Sequence, residues 1–204
     1  MTHTENTTQS TSAPAAGDDP RQALAKAVAL AGRTLGAVRP DQLDAPTPCT
    51  EYSVRLLGGH LVAVLRRIAV AGRGGDVMSM PTVADDFADA GLQQAWDSAV
   101  REVEAVWADP SILGRTLDLP FGKLPGAAAA AIWTSEFTVH TWDLAKATGQ
   151  QPDWEPDVVA LAHSAMRRGL PGGTREGAPF GEAVEVDADA PEIDRLVAWC
   201  GRRP

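Results

Sequence analysis

Cysteine is scarce in this chain of 204 residues, which has only Cys49 and Cys200. The two residues are far apart and form no Cys-x-x-Cys pair, so the sequence argues against a disulfide framework and predicts two reduced thiols. Long apolar runs are also lacking, because the stretch at residues 126–133 falls well short of the ~18 residues that span a bilayer. The first 19 residues contain neither a basic nor an apolar segment, which argues against a secretory signal and predicts a cytoplasmic protein without membrane contacts.

Positive charge is scarce as well. The chain has 18 lysines and arginines against 27 aspartates and glutamates, which gives a formal net charge of −9. An acidic surface repels the phosphate backbone of nucleic acids, and the sequence has no basic stripe interleaved with aromatic residues. We therefore expect no nucleic-acid partner.

What the chain does contain is enough apolar material for a core, since 44% of its residues are hydrophobic. Residues 1–18 are mainly Thr, Ser, Ala, Gln and Asn and have almost nothing to bury, so we expect a disordered tail there. The remaining residues, 19–204, are predicted to form a single domain.

Apolar residues recur with a helical period in four long segments and two shorter ones, most of which begin or end at a recognisable signal. Asp19 and Ser53 are placed to cap the first two helices, Pro125 opens the fourth, and Gly149 follows the last residue of that helix. The predicted helices cover residues 20–38, 54–71, 92–108, 125–148, 156–168 and 191–200.

The segments between the helices carry little regular structure. Residues 72–87 are predicted to form a mobile loop, the alternation around Pro120-Phe121-Gly122 predicts a short β-hairpin, and residues 183–186 predict a strand. Four long amphipathic helices with shorter helices packed at one end define an all-α fold, a four-helix bundle with minor β structure.

The stretch WTSEFTVHTWDLA, residues 133–145, carries the strongest chemical signal. Glu136 and His140 are four residues apart on a helix, where Cβ atoms lie roughly 6 Å apart and the two side chains can share one ion. Trp133 and Phe137 lie on the same face, so both polar side chains are expected to point into the bundle. Burying a lone carboxylate is costly, and metal coordination is one arrangement that offsets this cost.

His60 is the candidate for a third ligand, because it lies within the apolar stripe of the second helix and metal sites in bundles use side chains from facing helices. Gly58 and Gly59 weaken this helix by about 1 kcal/mol each relative to alanine, so a neighbouring helix or a ligand is expected to approach closely. Two imidazoles and one carboxylate suit Zn²⁺, and also Ni²⁺ or Fe²⁺. Three protein ligands leave coordination positions open, which favours chemistry over a structural role.

Simpler interpretations of the same residues stay open. A Glu and a His four residues apart occur often by chance, and a core-facing histidine is usually only hydrogen-bonded. An ion pair between Glu136 and an arginine is the commonest alternative to a metal. His3 falls in the predicted tail, and His163 is expected to be solvated.

Three segments resemble a known family. PTPCTEYSVRLLGGHL resembles the start of the second helix in the DinB-like, mycothiol-dependent maleylpyruvate isomerase N-terminal domain family, and EFTVHTWDLAKATG resembles its metal-binding fourth helix. FGEAVEVDADAPEIDRLVAWCGRRP resembles the C-terminal signature of a small actinobacterial subgroup. The resemblance spans roughly residues 20–204 and implies that the family's metal ligands fall on His60, Glu136 and His140.

The resemblance also implies a chemistry. Relatives use the metal to bind a low-molecular-weight thiol, in actinobacteria mycothiol, as a thiolate that attacks an electrophilic substrate. Isomerase members carry a further C-terminal domain with a catalytic arginine that this chain has no room for, so maleylpyruvate isomerisation is not expected. Asp143 is expected either to orient His140 or to form a surface ion pair, and Cys49 to be packed rather than catalytic.

Three functions stay open at this point: a metal-dependent thiol S-transferase, a non-catalytic module that binds a metal or a partner, and a metal-dependent hydrolase. The expected partners of the enzyme are a small-molecule thiol and an unidentified electrophile, and the protein is expected to be a monomer or a homodimer. Residues 72–87 and 169–181 are predicted to form the rims of a substrate cavity, with Arg55, Arg66 and Arg175 as candidates for its cationic lining.

Overall fold

The computed structural model describes residues 19–172, 174–175 and 180–204, so the predicted tail at residues 1–18 lies outside them. The described residues form six α-helices and one β-hairpin, and the predicted all-α fold with minor β structure is confirmed. In chain order the elements are α1 (Pro20–Gly36), α2 (Val54–Arg73), α3 (Leu92–Trp107), β1 (Thr116–Leu119), β2 (Gly122–Pro125), α4 (Gly126–Thr148), α5 (Pro156–Gly169) and α6 (Glu192–Trp199).

Three of the residues that were predicted to cap or end a helix do so in the structure. The Asp19 carboxylate accepts from the backbone N–H of Arg21 to cap α1, and Ser53 caps α2 in the same way. Gly149 ends α4 in the left-handed conformation, with φ at 71°. These ends are local in origin, which is why the sequence predicts them.

The C-terminal end of α2 differs from the prediction. The helix continues past the predicted end at residue 71 to Arg73, and its cap is Gly74, with φ at 78°. Gly72 is buried inside the helix, where an added Cβ would lie 2.4 Å from Val106 Cγ1 and 2.8 Å from Trp107 Nε1. The glycine therefore lets α3 pack closely instead of ending the helix.

Helix α4 lies at the centre of the bundle, with α1 and α5 packed on it while α2 pairs with α3. The residues of α4 are mainly small or apolar on every face of the helix, as expected for a helix that is buried on all sides. Its buried hydroxyl groups are satisfied because they donate to backbone carbonyl oxygens one turn earlier. These residues are Thr134, Ser135, Thr138, Thr141 and Thr148.

The predicted hairpin is present, and the predicted strand at residues 183–186 is wrong. Strands β1 and β2 pair antiparallel, and Gly122 supplies the turn with φ at 124°. Val184 instead donates its backbone N–H to the Ala198 carbonyl of α6 at 2.9 Å, and residues 183–186 are irregular. Alternating apolar residues form a strand only beside a partner strand, and this segment lies against a helix.

The loop at residues 72–87 is fixed to α2 in its second half. The backbone N–H of Ala84 donates to the Gly59 carbonyl at 3.0 Å, and an added Cβ on Gly59 would lie 2.6 Å from the Ala84 carbonyl oxygen. Gly58 lies beside Leu35 and Leu92 in the same way. The close approach predicted from the Gly58-Gly59 pair is therefore confirmed, with the loop itself as one of the neighbours.

Candidate metal centre

Glu136 and His140 lie one turn apart on α4, as their spacing predicts. His140 Nε2 is 3.5 Å from Glu136 Oε1. The His140 residue is 5% exposed, whereas the Glu136 side chain is 23% exposed. The carboxylate therefore lies between the core and an opening to solvent.

His60 reaches the same carboxylate from α2. Its Nε2 atom lies 2.9 Å from Glu136 Oε1, and its ring meets that of His140 edge to face, with centroids 5.2 Å apart. One ligand atom from each of the three residues lies within 4.8 Å of the other two. The structure thus brings together all three residues that the sequence singles out, across 76 positions of the chain.

The outer nitrogens of both imidazoles have fixed partners. His60 Nδ1 donates to the Thr82 carbonyl at 2.8 Å, and His140 Nδ1 donates to Asp143 Oδ2 at 3.0 Å. A carbonyl and an ionised carboxylate can only accept, so each Nδ1 carries a proton and each Nε2 directs a lone pair at Glu136 in the neutral ring. Two imidazole lone pairs and a carboxylate repel one another at these distances unless a cation lies between them. That cation is either a proton or a metal ion.

The charges of the centre favour such a cation. Burial opposes ionisation of Glu136, but His140 and His60 outweigh it and hold the pKa of this carboxyl well below its usual range. Burial also opposes a charged His140, and the carboxylates of Glu136 and Asp143 nevertheless raise its pKa to about 9. A proton on His140 and a divalent cation therefore compete for the same position.

Asp143 both orients His140 and forms an ion pair, but this pair is buried. Its side chain is 0% exposed, and its two oxygens accept from Arg202 Nε at 3.2 Å and Nη2 at 2.9 Å. Burial opposes the charge on Asp143, and the bonds from His140 and Arg202 nevertheless lower its pKa. The surface ion pair considered from the sequence is therefore wrong, and Arg202 is a residue that sequence reasoning missed.

Cys49 lies beside this pair without being activated. Its Sγ lies within 4.8 Å of ligand atoms of His140 and Asp143. Burial raises the pKa of the half-buried Cys49 thiol, and it raises the pKa of the buried Cys200 thiol to about 12. A thiol whose pKa is raised is a poor nucleophile, which agrees with the expectation that Cys49 is packed instead of catalytic.

The three arginines suggested as a cationic lining have other partners. Arg55 pairs with Asp44 and Asp89. Arg66 pairs with Asp86, and the guanidinium of Arg175 lies 4.8 Å from the Trp199 ring centroid. Arg67, the next residue, donates from its Nη2 to the Met80 carbonyl at 2.7 Å, and no carboxylate among the described residues pairs with it.

The structure describes the first of the two predicted cavity rims completely and the second only in part. The loop at residues 72–87 touches the centre directly through Thr82. The segment at residues 169–181 lies partly outside the described residues, and its Phe180 ring lies 5.5 Å from the Arg202 guanidinium. His163, which was expected to be solvated, is instead partly buried. Its Nδ1 atom lies 2.6 Å from Glu192 Oε1.

A separate apolar groove of about 420 Å³ lies between α1 and α3, lined by Leu24, Val28, Trp96 and Trp107 among others. None of the three candidate ligands lines it. Among the described helices, none combines the length and the apolarity that crossing a membrane requires.

Comparison with known proteins identifies relatives and a family whose model covers α2 and α4. Uncharacterized protein Rv0738 of Mycobacterium tuberculosis H37Rv and Uncharacterized protein MT0763 of strain CDC 1551 are each 32% identical over 186 residues, covering 90% of this chain and 98% of theirs. No solved structure gives a significant match. The family model for the mycothiol maleylpyruvate isomerase N-terminal domain matches residues 24–145, which include all three candidate ligands. The chain therefore belongs to the mycothiol maleylpyruvate isomerase N-terminal domain family.

Proposed function

We propose that this protein binds one divalent metal ion through His60, Glu136 and His140 and uses it to activate a small-molecule thiol for transfer to an electrophile. One observation carries the proposal. Both imidazoles have their Nδ1 protons committed to outward acceptors, so that both Nε2 lone pairs converge on one carboxylate oxygen at 2.9 and 3.5 Å. Metal-ligating histidines commonly have their outer nitrogen fixed in this way.

The chemistry of the donor set suits the metal. Two imidazole nitrogens and one carboxylate oxygen favour Zn²⁺ and also accept Ni²⁺ or Fe²⁺. In this arrangement Thr82 and Asp143 hold the two rings in orientation, while Tyr52 stacks on His60 with ring centroids 4.8 Å apart. Three protein ligands leave a position for an exogenous ligand on the side where Glu136 is exposed.

The charge balance of the buried centre favours an anionic exogenous ligand. The carboxylates of Glu136 and Asp143 and the guanidinium of Arg202 together carry one net negative charge. A divalent cation changes this to one net positive charge, which a thiolate neutralises. A bound metal ion lowers the pKa of a thiol, and the thiolate is the nucleophilic form.

The surroundings favour an external thiol over two other nucleophiles, a metal-activated water and the protein's own Cys49 thiol. A hydrolase needs a general base for the attacking water, but Glu136 serves as a ligand and Asp143 is held by Arg202. The protein's own neighbouring thiol, Cys49, has a raised pKa and is unsuited to the attack. The nucleophile therefore comes from a small molecule, and mycothiol is the thiol that family membership suggests.

Metal analysis of the purified protein tests the site. We expect about one equivalent of Zn²⁺, Ni²⁺ or Fe²⁺ in the protein and in the control variant His163→Ala, whose histidine contacts Glu192 away from the centre. His60→Ala and His140→Ala should lose most of the metal while keeping the helical circular-dichroism spectrum. Unchanged metal content in both variants would rule out the proposed ligand set.

Thiol binding is a separate test. Titration of the Co²⁺-substituted protein with mycothiol should produce thiolate-to-metal charge-transfer absorption that His140→Ala lacks. A metal-loaded protein whose spectrum does not change at millimolar mycothiol would contradict the thiol chemistry and leave a metal-binding protein of another function.

A further inference from the structure

The apolar groove between α1 and α3 has a volume of about 420 Å³, which lies within the range of small-molecule sites. Its inner wall consists of apolar side chains that are at most 9% exposed, namely Leu24, Val28, Trp96, Val103 and Trp107. On the α1 side its edge is formed by Ala25 and Ala29, which are exposed and too short to cover this wall. The groove is therefore a recess in the bundle instead of a flat surface patch.

The two indoles of the inner wall are held from behind. Trp107 Nε1 donates to the Ile68 carbonyl at 3.1 Å, and its ring meets that of Trp133 edge to face, with centroids 5.4 Å apart. The Trp96 ring meets Phe137 in the same way at 6.0 Å. Large side chains that are anchored in the core cannot turn outward to fill the recess, so the groove is preformed.

Three charged residues line the groove, and one of them lacks a counter-ion. Asp19 and Arg21 pair with each other at 2.6 Å, and Arg21 Nη1 also donates to the Trp107 and Ala108 carbonyls at 3.0 and 2.9 Å. Among the described residues, no lysine, arginine or histidine nitrogen lies within 4.0 Å of the exposed Glu104 carboxylate. The lining therefore carries one net negative charge, which resides on Glu104.

We propose that the groove binds a small amphipathic cation, an aromatic or alicyclic group that carries a primary amine. The apolar body fills the recess against the two indoles, and its removal from water supplies the affinity. The ammonium group pairs with Glu104 and supplies the selection by charge, because a neutral molecule gains no ion pair there and an anion is repelled. The inference goes beyond the proposed function, since none of the candidate metal ligands lines the groove.

Three ligands of similar shape and different charge test the site by isothermal titration calorimetry of the full chain. They are 1-naphthylmethylamine, 1-naphthalenemethanol and 1-naphthoate. We expect the amine to bind about fivefold more tightly than the alcohol, the size of one ion pair at an exposed carboxylate, and the acid to bind most weakly. The same order is expected with and without Zn²⁺.

The first pair of variants tests the charge. Glu104→Gln should lower the affinity for the amine to that for the alcohol and leave the alcohol unchanged. Glu102→Gln is the control, because Glu102 is also exposed on α3 but pairs with Arg73 and does not line the groove. It should keep the preference for the amine.

The second pair tests the recess. Ala29→Leu covers the wall with a larger side chain and should weaken the binding of both the amine and the alcohol by about tenfold or more. Ala105→Leu, at an exposed position of α3 outside the lining, should leave both affinities unchanged. Circular dichroism checks that each variant keeps its helices.

Several outcomes would overturn the proposal. These are no binding of the amine at millimolar concentration, equal affinities for the amine and the alcohol, equal losses in Glu104→Gln and Glu102→Gln, or binding that survives Ala29→Leu. If the amine binds only after deletion of residues 1–18, the N-terminal segment fills the groove instead. If Ala29→Leu but not Ala105→Leu converts a dimer to a monomer in size-exclusion chromatography, the groove is an interface between two copies.

Discussion

Asp143 Oδ2 accepts the Nδ1–H of His140 at 3.0 Å, on the side of the ring that faces away from Glu136. This contact decides which nitrogen of His140 is available to an ion, because a proton fixed on Nδ1 leaves the lone pair on Nε2. The negative charge of Asp143 also makes the ring a stronger donor to a metal. The same carboxylate is held by Arg202, so two residues outside the ligand set control one ligand.

Replacing this carboxylate by an amide tests that control. We expect Asp143→Asn to lower the affinity for Zn²⁺ by about 10- to 100-fold, because the amide has no charge and its NH₂ group can reverse the tautomer. A competition titration with a chromophoric chelator measures the effect. Asp118→Asn, which alters an exposed carboxylate of the hairpin paired with Lys123, is the control. Equal affinities for the two variants would contradict an orienting role.

Removing Arg202 tests the other side of the pair. Arg202→Met leaves the fully buried Asp143 without its cation, and breaking a buried ion pair from one side costs about 3–5 kcal/mol of unfolding free energy. The next residue, Arg203, is exposed, so Arg203→Met should change stability by less than about 0.5 kcal/mol. Urea unfolding followed by circular dichroism measures both. Similar midpoints for the two variants would show that the pair contributes little.

These tests concern contacts of the kind that the sequence predicts poorly. Helix ends at Asp19, Ser53 and Gly149 follow from local chemistry, and the i, i+4 spacing places Glu136 and His140 on one face. The contact between His60 and Glu136 spans 76 positions, so the apolar stripe of α2 makes His60 only a candidate and the family resemblance joins it to Glu136. Nothing local assigns a role to Arg202.

Gly59 connects the helix and the loop that holds His60. Gly→Ala in a helix is normally favourable by about 1 kcal/mol, but a Cβ here would lie 2.6 Å from the Ala84 carbonyl oxygen, which is backbone and cannot rotate away. We expect Gly59→Ala to lower both stability and Zn²⁺ affinity, since the displaced loop takes the Thr82 carbonyl away from His60. Thermal unfolding and the same chelator competition measure the two effects.

A glycine in open space is the control for this substitution. Gly169 ends α5 with no atom within 4 Å of an added Cβ. Gly169→Ala should therefore leave stability and metal affinity unchanged or slightly improved. If Gly59→Ala behaves like Gly169→Ala, the loop yields easily and does not fix His60.

The ion pair between Glu136 and His140 makes the stability of the metal-free protein depend on pH. The pKa of His140 is about 9 in the folded protein and 6.5 for an unperturbed imidazole. Its contribution is therefore fully present below pH 6.5 and lost as the pH rises through 9. The pKa of Glu136 is lowered from 4.5, so its contribution is present above pH 4.5 and lost as the pH falls further.

A bound metal ion reverses the first of these trends, because it requires His140 to be neutral. Each proton released on binding raises the apparent affinity by about tenfold per pH unit until His140 has titrated. The difference in unfolding free energy between the Zn²⁺-loaded and metal-free protein should therefore widen between pH 6.5 and 9. Urea unfolding of the Zn²⁺-loaded and the metal-free protein across this interval measures the difference. A difference that stays constant with pH would mean that protons and metal do not compete at His140.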